Sequence, residues 1–255
     1  MSLKSITLFL LISIVLFCHA EVKAQHVNDI VNEGLRLEKI PDEKRALLKF
    51  EEALRMDPSL LTALVKCSEL HSSIGGRLKD KKKQAVHYSL AVGYAKKAIE
   101  TYPNAAEACV AMAIAYGKEA LIKGGKEKIK LVRKIKDFAD QAIQINPNNF
   151  KAWHVLGKWY YEMSDLNFLE RTGLGLFFEK MPEASFTLSI NAFEKANRID
   201  PSVCLNHLEL AKSYQKNKQI PMAIASLKKL MSLPAKTEDD PDIKLQAIKL
   251  LKSLQ

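Results

Sequence analysis

The sequence predicts an all-α fold, a right-handed superhelix of about five helix–turn–helix units that ends in a capping helix. Three observations support this prediction. A short phrase ending in proline recurs along the chain, the residues around it have the sizes that two packed helices need, and 47% of all residues are hydrophobic. With 27% charged residues and four Cys in 255, the chain is neither a disordered tail nor a disulfide scaffold.

The recurring phrase has the form Ala-x-x-x-(Asp/Asn/Tyr)-Pro. Its prolines are Pro58, Pro103, Pro147 and Pro201, with a weaker fifth copy at Pro234. Successive prolines are 45, 44, 54 and 33 residues apart, so three of the spacings carry insertions. A helix–turn–helix unit of about 34 residues is the tetratricopeptide (TPR) period. The sequence therefore predicts a TPR-like superhelix.

The fourth unit has the finer residue pattern of this repeat. Trp153, Gly157 and Tyr160 have the spacing of its first helix, and Phe193 and Ala196 that of its second. Small residues let two helices approach closely, aromatic ones fill the groove between them, and proline ends a helix. We expect units at about residues 27–60, 61–105, 106–149, 150–203 and 204–236, and a helix over 241–254 that caps the stack.

The first 24 residues are expected to be a cleaved signal peptide. Residues 6–18 form an apolar run that follows Lys4, and a membrane-spanning helix needs about 20 such residues. Cleavage after Ala20 or Ala24 fits the small residues there, and Ala24 is preferred. The helical domain would then be residues 25–255, located in the periplasm or otherwise exported. The alternative is a membrane anchor formed by the uncleaved segment.

Three units carry insertions between their two helices. The first covers residues 74–83, and the second, residues 118–136, has eight basic residues against two acidic ones. This basic face would suit anionic lipid or an acidic partner; the alternative is a solvated helix face with lengthened loops. The third insertion, residues 164–183, is apolar and contains Phe168, Leu169, Phe177 and Phe178. It either forms a partner or membrane patch or folds back as a short helix that pads the superhelix.

A concave groove is the expected binding surface, because fixed positions of the first helices line it in such repeats. In the fourth and fifth units these positions give Lys151, His154, Lys158, Tyr161, Leu208, Lys212 and Lys216. Four lysines would steer an acidic peptide to the groove, and the formal net charge of +10 agrees weakly with that. The alternative is an ordinary solvated groove.

Motifs for catalysis are absent from the sequence. The histidines lack metal-ligand spacing, residues 124–127 fail as a phosphate-binding loop, and no nucleophile motif occurs. Cys67, Cys109 and Cys204 lie at packing positions of first helices. We therefore expect no enzyme, no cofactor, no metal ion and no nucleic-acid partner.

Residues 153–171 carry a more specific phrase, Trp-His-Val-Leu-Gly-Lys-Trp-Tyr-Tyr-Glu followed by Phe-Leu-Glu-Arg. This stretch resembles the regulator of microtubule dynamics family, best over about residues 148–237, with a departure from its pattern at 178–183. The resemblance implies a helical adaptor. Eukaryotic members are linked to microtubules and organelle contacts, a role we do not carry over to an exported chain. We expect a non-enzymatic protein-interaction scaffold of the bacterial envelope; the alternative is a peripheral membrane or lipid-contact protein that uses the third insertion and the basic face.

Overall fold

The computed structural model describes residues 25–167, 172 and 183–255, and all regular structure in these ranges is helical. The helices are α1 (25–39), α2 (Glu43–Met56), α3 (Leu61–Arg77), α4 (Lys81–Thr101), α5 (Ala106–Ala120), α6 (Gly125–Ile145), α7 (Phe150–Ser164), α8 (Phe186–Ile199), α9 (Cys204–Lys216), α10 (Ile220–Ser232) and α11 (Asp240–Ser253). The predicted signal peptide and the patch residues Phe168, Leu169, Phe177 and Phe178 lie outside the described residues.

The helices pack as consecutive hairpins. The pairs α3/α4, α5/α6, α7/α8 and α9/α10 make the most extensive contacts, and α1 shares a core with α2 and α3. First helices also meet across units, because α5 contacts both α3 and α7, and α7 contacts α9. The last helix, α11, packs on α9 and α10 and buries Ile243 and Ala247 there. The predicted all-α stack of five hairpins with a C-terminal cap is confirmed.

The recurring phrase forms the end of each second helix. In four units a fully buried alanine accepts the final helical hydrogen bond from the backbone N–H of the residue before the proline. The pairs are Ala53 with Asp57, Ala98 with Tyr102, Ala142 with Asn146, and Ala196 with Asp200. Because proline has no backbone N–H to continue the ladder, the helix ends there and the chain turns toward the next unit.

Glycine permits the closest approach within two of the hairpins. A Cβ atom on Gly157 would lie 2.8 Å from the ring of Phe193, and one on Gly34 would lie 2.9 Å from the ring of Phe50. Both glycines are in first helices and both phenylalanines in the second helices that pair with them. The glycine therefore makes room for an aromatic ring that fills the hairpin core.

The first two insertions lengthen helices rather than loops. α4 and α6 each have 21 residues, while residues 78–80 and 121–124 suffice to connect the hairpins. The alternative interpretation of the basic face, a solvated helix face with lengthened loops, is therefore wrong about the loops: the added residues extend the helix. Asp80 caps α4 by accepting hydrogen bonds from the backbone N–H groups of Lys82 and Lys83, which fixes where this long helix begins.

The cysteines of the described chain are part of the core. Cys67, Cys109 and Cys204 are buried free thiols, as the sequence predicted. Burial raises the pKa of the Cys67 thiol far above its usual range, so this side chain stays protonated and unreactive.

Candidate functional site

A cavity of about 640 Å³ opens between the first helices α3, α5 and α7. Its apolar lining residues are Leu61, Val65, Val110 and Phe150. Its polar lining residues are Thr62, Lys66, Glu69, Glu107, Asn146, Asn148, Asn149, Lys151 and Asp200. We call the surface formed by α3, α5, α7 and α9 the first-helix face. The cavity gives this face both apolar surface and many hydrogen-bonding groups.

Ion pairs link the helices around the cavity. Lys66 Nζ lies 2.8 Å from Glu38 and 3.9 Å from Glu69, and Lys151 Nζ donates to Glu69 at 2.5 Å. Burial opposes ionisation of Glu69, but Lys151 and Lys66 outweigh it and hold the pKa of Glu69 below its usual value. The Glu69 carboxylate thus ties α3 to α7 across the cavity.

A second network joins α7 to α9. Glu209 is only 5% exposed and accepts hydrogen bonds from Lys158 and Lys212, each at 2.7 Å. Lys158 also lies 2.9 Å from Glu162. Burial opposes ionisation of Glu209, yet the two lysines keep its pKa below the usual value. All of these charges therefore neutralise one another.

The remaining predicted groove residues lie beside this network. Lys216 pairs with Asp165 at 2.5 Å, and the ring of Tyr161 packs edge-on against Phe186 with Lys158 Nζ 5.2 Å from its centroid. The four predicted lysines are thus brought to one face, but each has a carboxylate partner. Their pairing removes much of the free positive charge on which the predicted attraction of an acidic peptide depended.

Of the other two predicted groove residues, Leu208 faces the interior and His154 is half-buried. Leu208 is 1% exposed and belongs to the core shared by α8 to α11, so its assignment to the groove was wrong. His154 Nδ1 lies 2.8 Å from Asn206 Oδ1, and its ring packs against Phe150 and Phe193. Burial lowers the pKa of His154, which favours a neutral ring that links α7 to α9. Both side chains hold neighbouring units together.

The end of α3 meets the linker before α11, a contact that sequence analysis missed. Arg77 lies 2.6 Å from Glu43, 3.0 Å from Asp239 and 3.3 Å from Glu238. Glu238 also accepts a hydrogen bond from the backbone N–H of Glu43 at 3.0 Å. These contacts join residues that are 162 and 195 positions apart in the sequence. They therefore connect the first two units to the linker that precedes α11. No local pattern in the sequence signals a contact at this separation.

The second hairpin contains a buried polar cluster. His71 Nδ1 lies 2.9 Å from His87 Nδ1, and the His71 ring stacks on that of Tyr94 with 5.6 Å between centroids. Burial, reinforced by His87, lowers the pKa of His71 to about 4. The hydroxyls of Ser68 and Ser72 nearby in α3 have no hydrogen-bond partner within residues 25–167 and 183–255. Ser68, His71 and Ser72 are buried, and His87 and Tyr94 are half-buried, so we expect this cluster to affect stability.

Across residues 25–167 and 183–255, no three His, Cys, Asp or Glu side chains are placed to hold a metal ion. Within the same ranges, none of the helices combines the length and the apolar character needed to cross a bilayer. The cavity and the first-helix face are therefore the candidate functional site.

Comparison with known sequences extends over nearly the whole chain. A family model described as Regulator of microtubule dynamics protein 1-3 matches residues 31–255. Regulator of microtubule dynamics protein 1 from Bos taurus is 28% identical over 243 residues, which cover 94% of this chain and 76% of that relative. The Mus musculus protein of the same name is 28% identical over 240 residues, covering 92% and 76%.

Comparison with solved structures supports the same fold. A thermophilic TPR protein from Thermus thermophilus aligns with a TM-score of 0.65 and 15% identity, over 89% of this chain and 99% of that chain. The structure of Pseudomonas aeruginosa pilF aligns with a TM-score of 0.52 and 14% identity, over 91% and 88%. At such low identity these similarities establish the TPR-like superhelix alone.

Proposed function

The chain belongs to the regulator of microtubule dynamics family, and from this we propose that it is a non-enzymatic scaffold that binds a protein or peptide segment on its first-helix face. The observation that carries the proposal is the cavity of about 640 Å³ between α3, α5 and α7. Pockets that bind small molecules have volumes of roughly 300–1,000 Å³, so this cavity is large enough to admit groups of a partner. TPR-like superhelices present such a face by construction, because stacking curves the repeats into an extended binding surface.

The cavity lining suits an extended peptide. A bound peptide must satisfy its backbone N–H and C=O groups, and the amide side chains of Asn146 and Asn148 lie among the lining residues. Val65, Val110 and Phe150 offer apolar surface for a partner's side chain. The paired Lys and Glu side chains around them favour a polar peptide of mixed charge over a purely apolar ligand.

Affinity capture with the tagged protein tests this proposal. Thr62 is exposed at the second position of α3 and lines the cavity, so Thr62→Trp should obstruct the cavity without touching the core. Thr187, exposed at the second position of α8, gives Thr187→Trp as the matched control. We expect one partner to be captured by the native protein and by the control but lost with Thr62→Trp. Equal capture by all three would remove the cavity from the binding surface.

We also propose that the protein is exported to the bacterial envelope. The support is the apolar run at residues 6–18 after Lys4, followed by small residues at position 20 and position 24. Mass spectrometry of the protein from an envelope fraction should find an N-terminus at Gln25. Intact residues 1–24 in that fraction would favour the membrane-anchored alternative, and a cytoplasmic location would contradict export.

The exposed first half of α6 supports a second candidate function, which is binding at an anionic membrane surface. Lys126, Lys130 and Lys134 are spaced by four residues, which places their exposed side chains on one face of the helix. Several lysines on one face attract anionic lipid by about 1 kcal/mol each. Flotation with phosphatidylserine vesicles at low salt tests this. Binding that disappears in the K126E/K130E/K134E variant would support it, and no binding by the native protein would remove it.

A further inference from the structure

Lys118 is a cation of the first-helix face that has no carboxylate partner among the described residues. It lies near the end of α5, and a Cβ atom on Gly76 would be 3.4 Å from its Nζ. Its ammonium group therefore lies against the last turn of α3, next in sequence to Arg77. Burial lowers the pKa of Lys118, and Arg77 and Lys158 add to this effect while Asp239 opposes it. A further anion at this place would stabilise its charge.

The chain already supplies an anion beside Lys118. We call Glu238 and Asp239 the acidic strap; both lie in the linker between α10 and α11. Asp239 accepts from Arg77 Nη1 at 3.0 Å, and Glu238 lies 3.3 Å from Arg77 Nη2. The strap therefore engages the guanidinium group, and no carboxylate of residues 25–167 or 183–255 pairs directly with the ammonium group of Lys118.

We propose that Arg77 and Lys118 form a binding site for an acidic peptide segment, and that the acidic strap occupies part of this site as an internal competitor. The proposal rests on the proposed function, because it names the chemistry of one partner segment on the first-helix face. The guanidinium group can bind carboxylates through two parallel N–H groups, and the lysine adds a second point of charge. A segment with neighbouring carboxylates can pair with both cations, which the strap does not do.

The internal strap should make the native protein a weak binder. A segment tethered in the same chain competes for the site at an effective concentration in the millimolar range. A free ligand must therefore bind the two cations more tightly than the strap does, or be present at a higher concentration, to displace it. Neutralising the strap removes two of the three carboxylates that face Arg77 and leaves Glu43 and both cations in place. The affinity for a free acidic peptide should then rise at least tenfold.

Fluorescence anisotropy with a labelled hexaglutamate peptide tests the site in the full chain. We compare the native protein with E238Q/D239N, and then add K118Q or K130Q to that double variant. K130Q is the matched control, because it removes one exposed lysine of α6 and leaves the site unchanged. Circular dichroism confirms that each variant is folded before binding is measured.

We expect E238Q/D239N to bind hexaglutamate at least tenfold more tightly than the native protein does. Adding K118Q to this double variant should remove most of the gain in affinity, and adding K130Q should preserve it. Equal affinity of native and E238Q/D239N proteins would overturn the competitor role of the strap. Equal loss in K118Q and K130Q would mean general attraction to a basic protein, which overturns the site. Thr62→Trp should leave hexaglutamate binding unchanged, so the cavity proposal and this one can fail separately.

Discussion

Lowering the pH from 7 to 5 is expected to destabilise the protein because His71 lies in a site that disfavours its charged form. The side chain is 4% exposed, and its closest polar neighbour is the imidazole of His87 at 2.9 Å. Glu51, 3.6 Å from His71 Nε2, is the carboxylate that faces it. Burial and the second imidazole outweigh this carboxylate, and the pKa of His71 falls to about 4.

The size and sign of the effect follow from the difference between the folded and unfolded pKa of His71. The unfolded side chain has an ordinary pKa of 6.5, so between pH 6.5 and 4 the unfolded state binds more protons than the folded state. The stabilisation is present above pH 6.5 and is lost as the pH falls toward 4. At pH 5 the loss from His71 amounts to about 2 kcal/mol relative to pH 7.

Urea unfolding followed by circular dichroism at pH 7 and pH 5 measures this loss. The H71Q variant removes the titrating group, and H26Q removes an exposed histidine of α1 as the matched control. The difference between the two pH values should be about 2 kcal/mol smaller in H71Q than in native protein and H26Q. Burial lowers the pKa of His87, His154 and His207 as well, so the native protein retains a further acid dependence. An unchanged pH difference in H71Q would refute the reasoning.

Two further predictions concern packing and the ion pairs of the first-helix face. Gly157→Ala should lower the free energy of unfolding by about 1–3 kcal/mol, because its Cβ would meet an aromatic ring at 2.8 Å. Gly93→Ala, which meets nothing within 4 Å, should raise it by about 0.5–1 kcal/mol; equal effects at both positions in urea titrations would contradict the packing account. Glu209→Gln should cost about 1–3 kcal/mol, because it breaks two charge-assisted hydrogen bonds at a buried site. The exposed Glu162→Gln should change stability by less than about 1 kcal/mol, and a cost as large as that of Glu209→Gln would show that burial of the carboxylate is unimportant.

Local patterns predicted the fold well because the repeat is encoded locally. The alanine four residues before each Asp, Asn or Tyr closes its helix by a backbone hydrogen bond, and the following proline prevents continuation. Gly157 and Phe193 likewise reveal a hairpin, since each hairpin forms between neighbouring segments of the chain. The recurring phrase therefore marks each unit without any knowledge of the tertiary structure.

The electrostatics of the candidate site could not be predicted in the same way. Spacing on a helix places Lys151 and Lys158 on one face and Glu162 one turn after Lys158. Their other carboxylate partners, Glu69 and Glu209, are 82 and 51 residues away in the chain. The acidic strap meets Arg77 across 162 residues, a contact that depends on the curvature of the whole stack. The orientation of Leu208 also depends on tertiary packing, because neighbouring helices on both sides enclose it.

Site-specific photo-crosslinking tests the central claim, that the first-helix face binds a protein or peptide partner, most directly. A photoreactive phenylalanine analogue placed at position 62, at the cavity, is compared with the same analogue at the exposed position 187 on α8. We predict a discrete covalent adduct in cells from position 62 and none from position 187. Adducts of equal yield from both positions, or an adduct from position 187 alone, would contradict this claim.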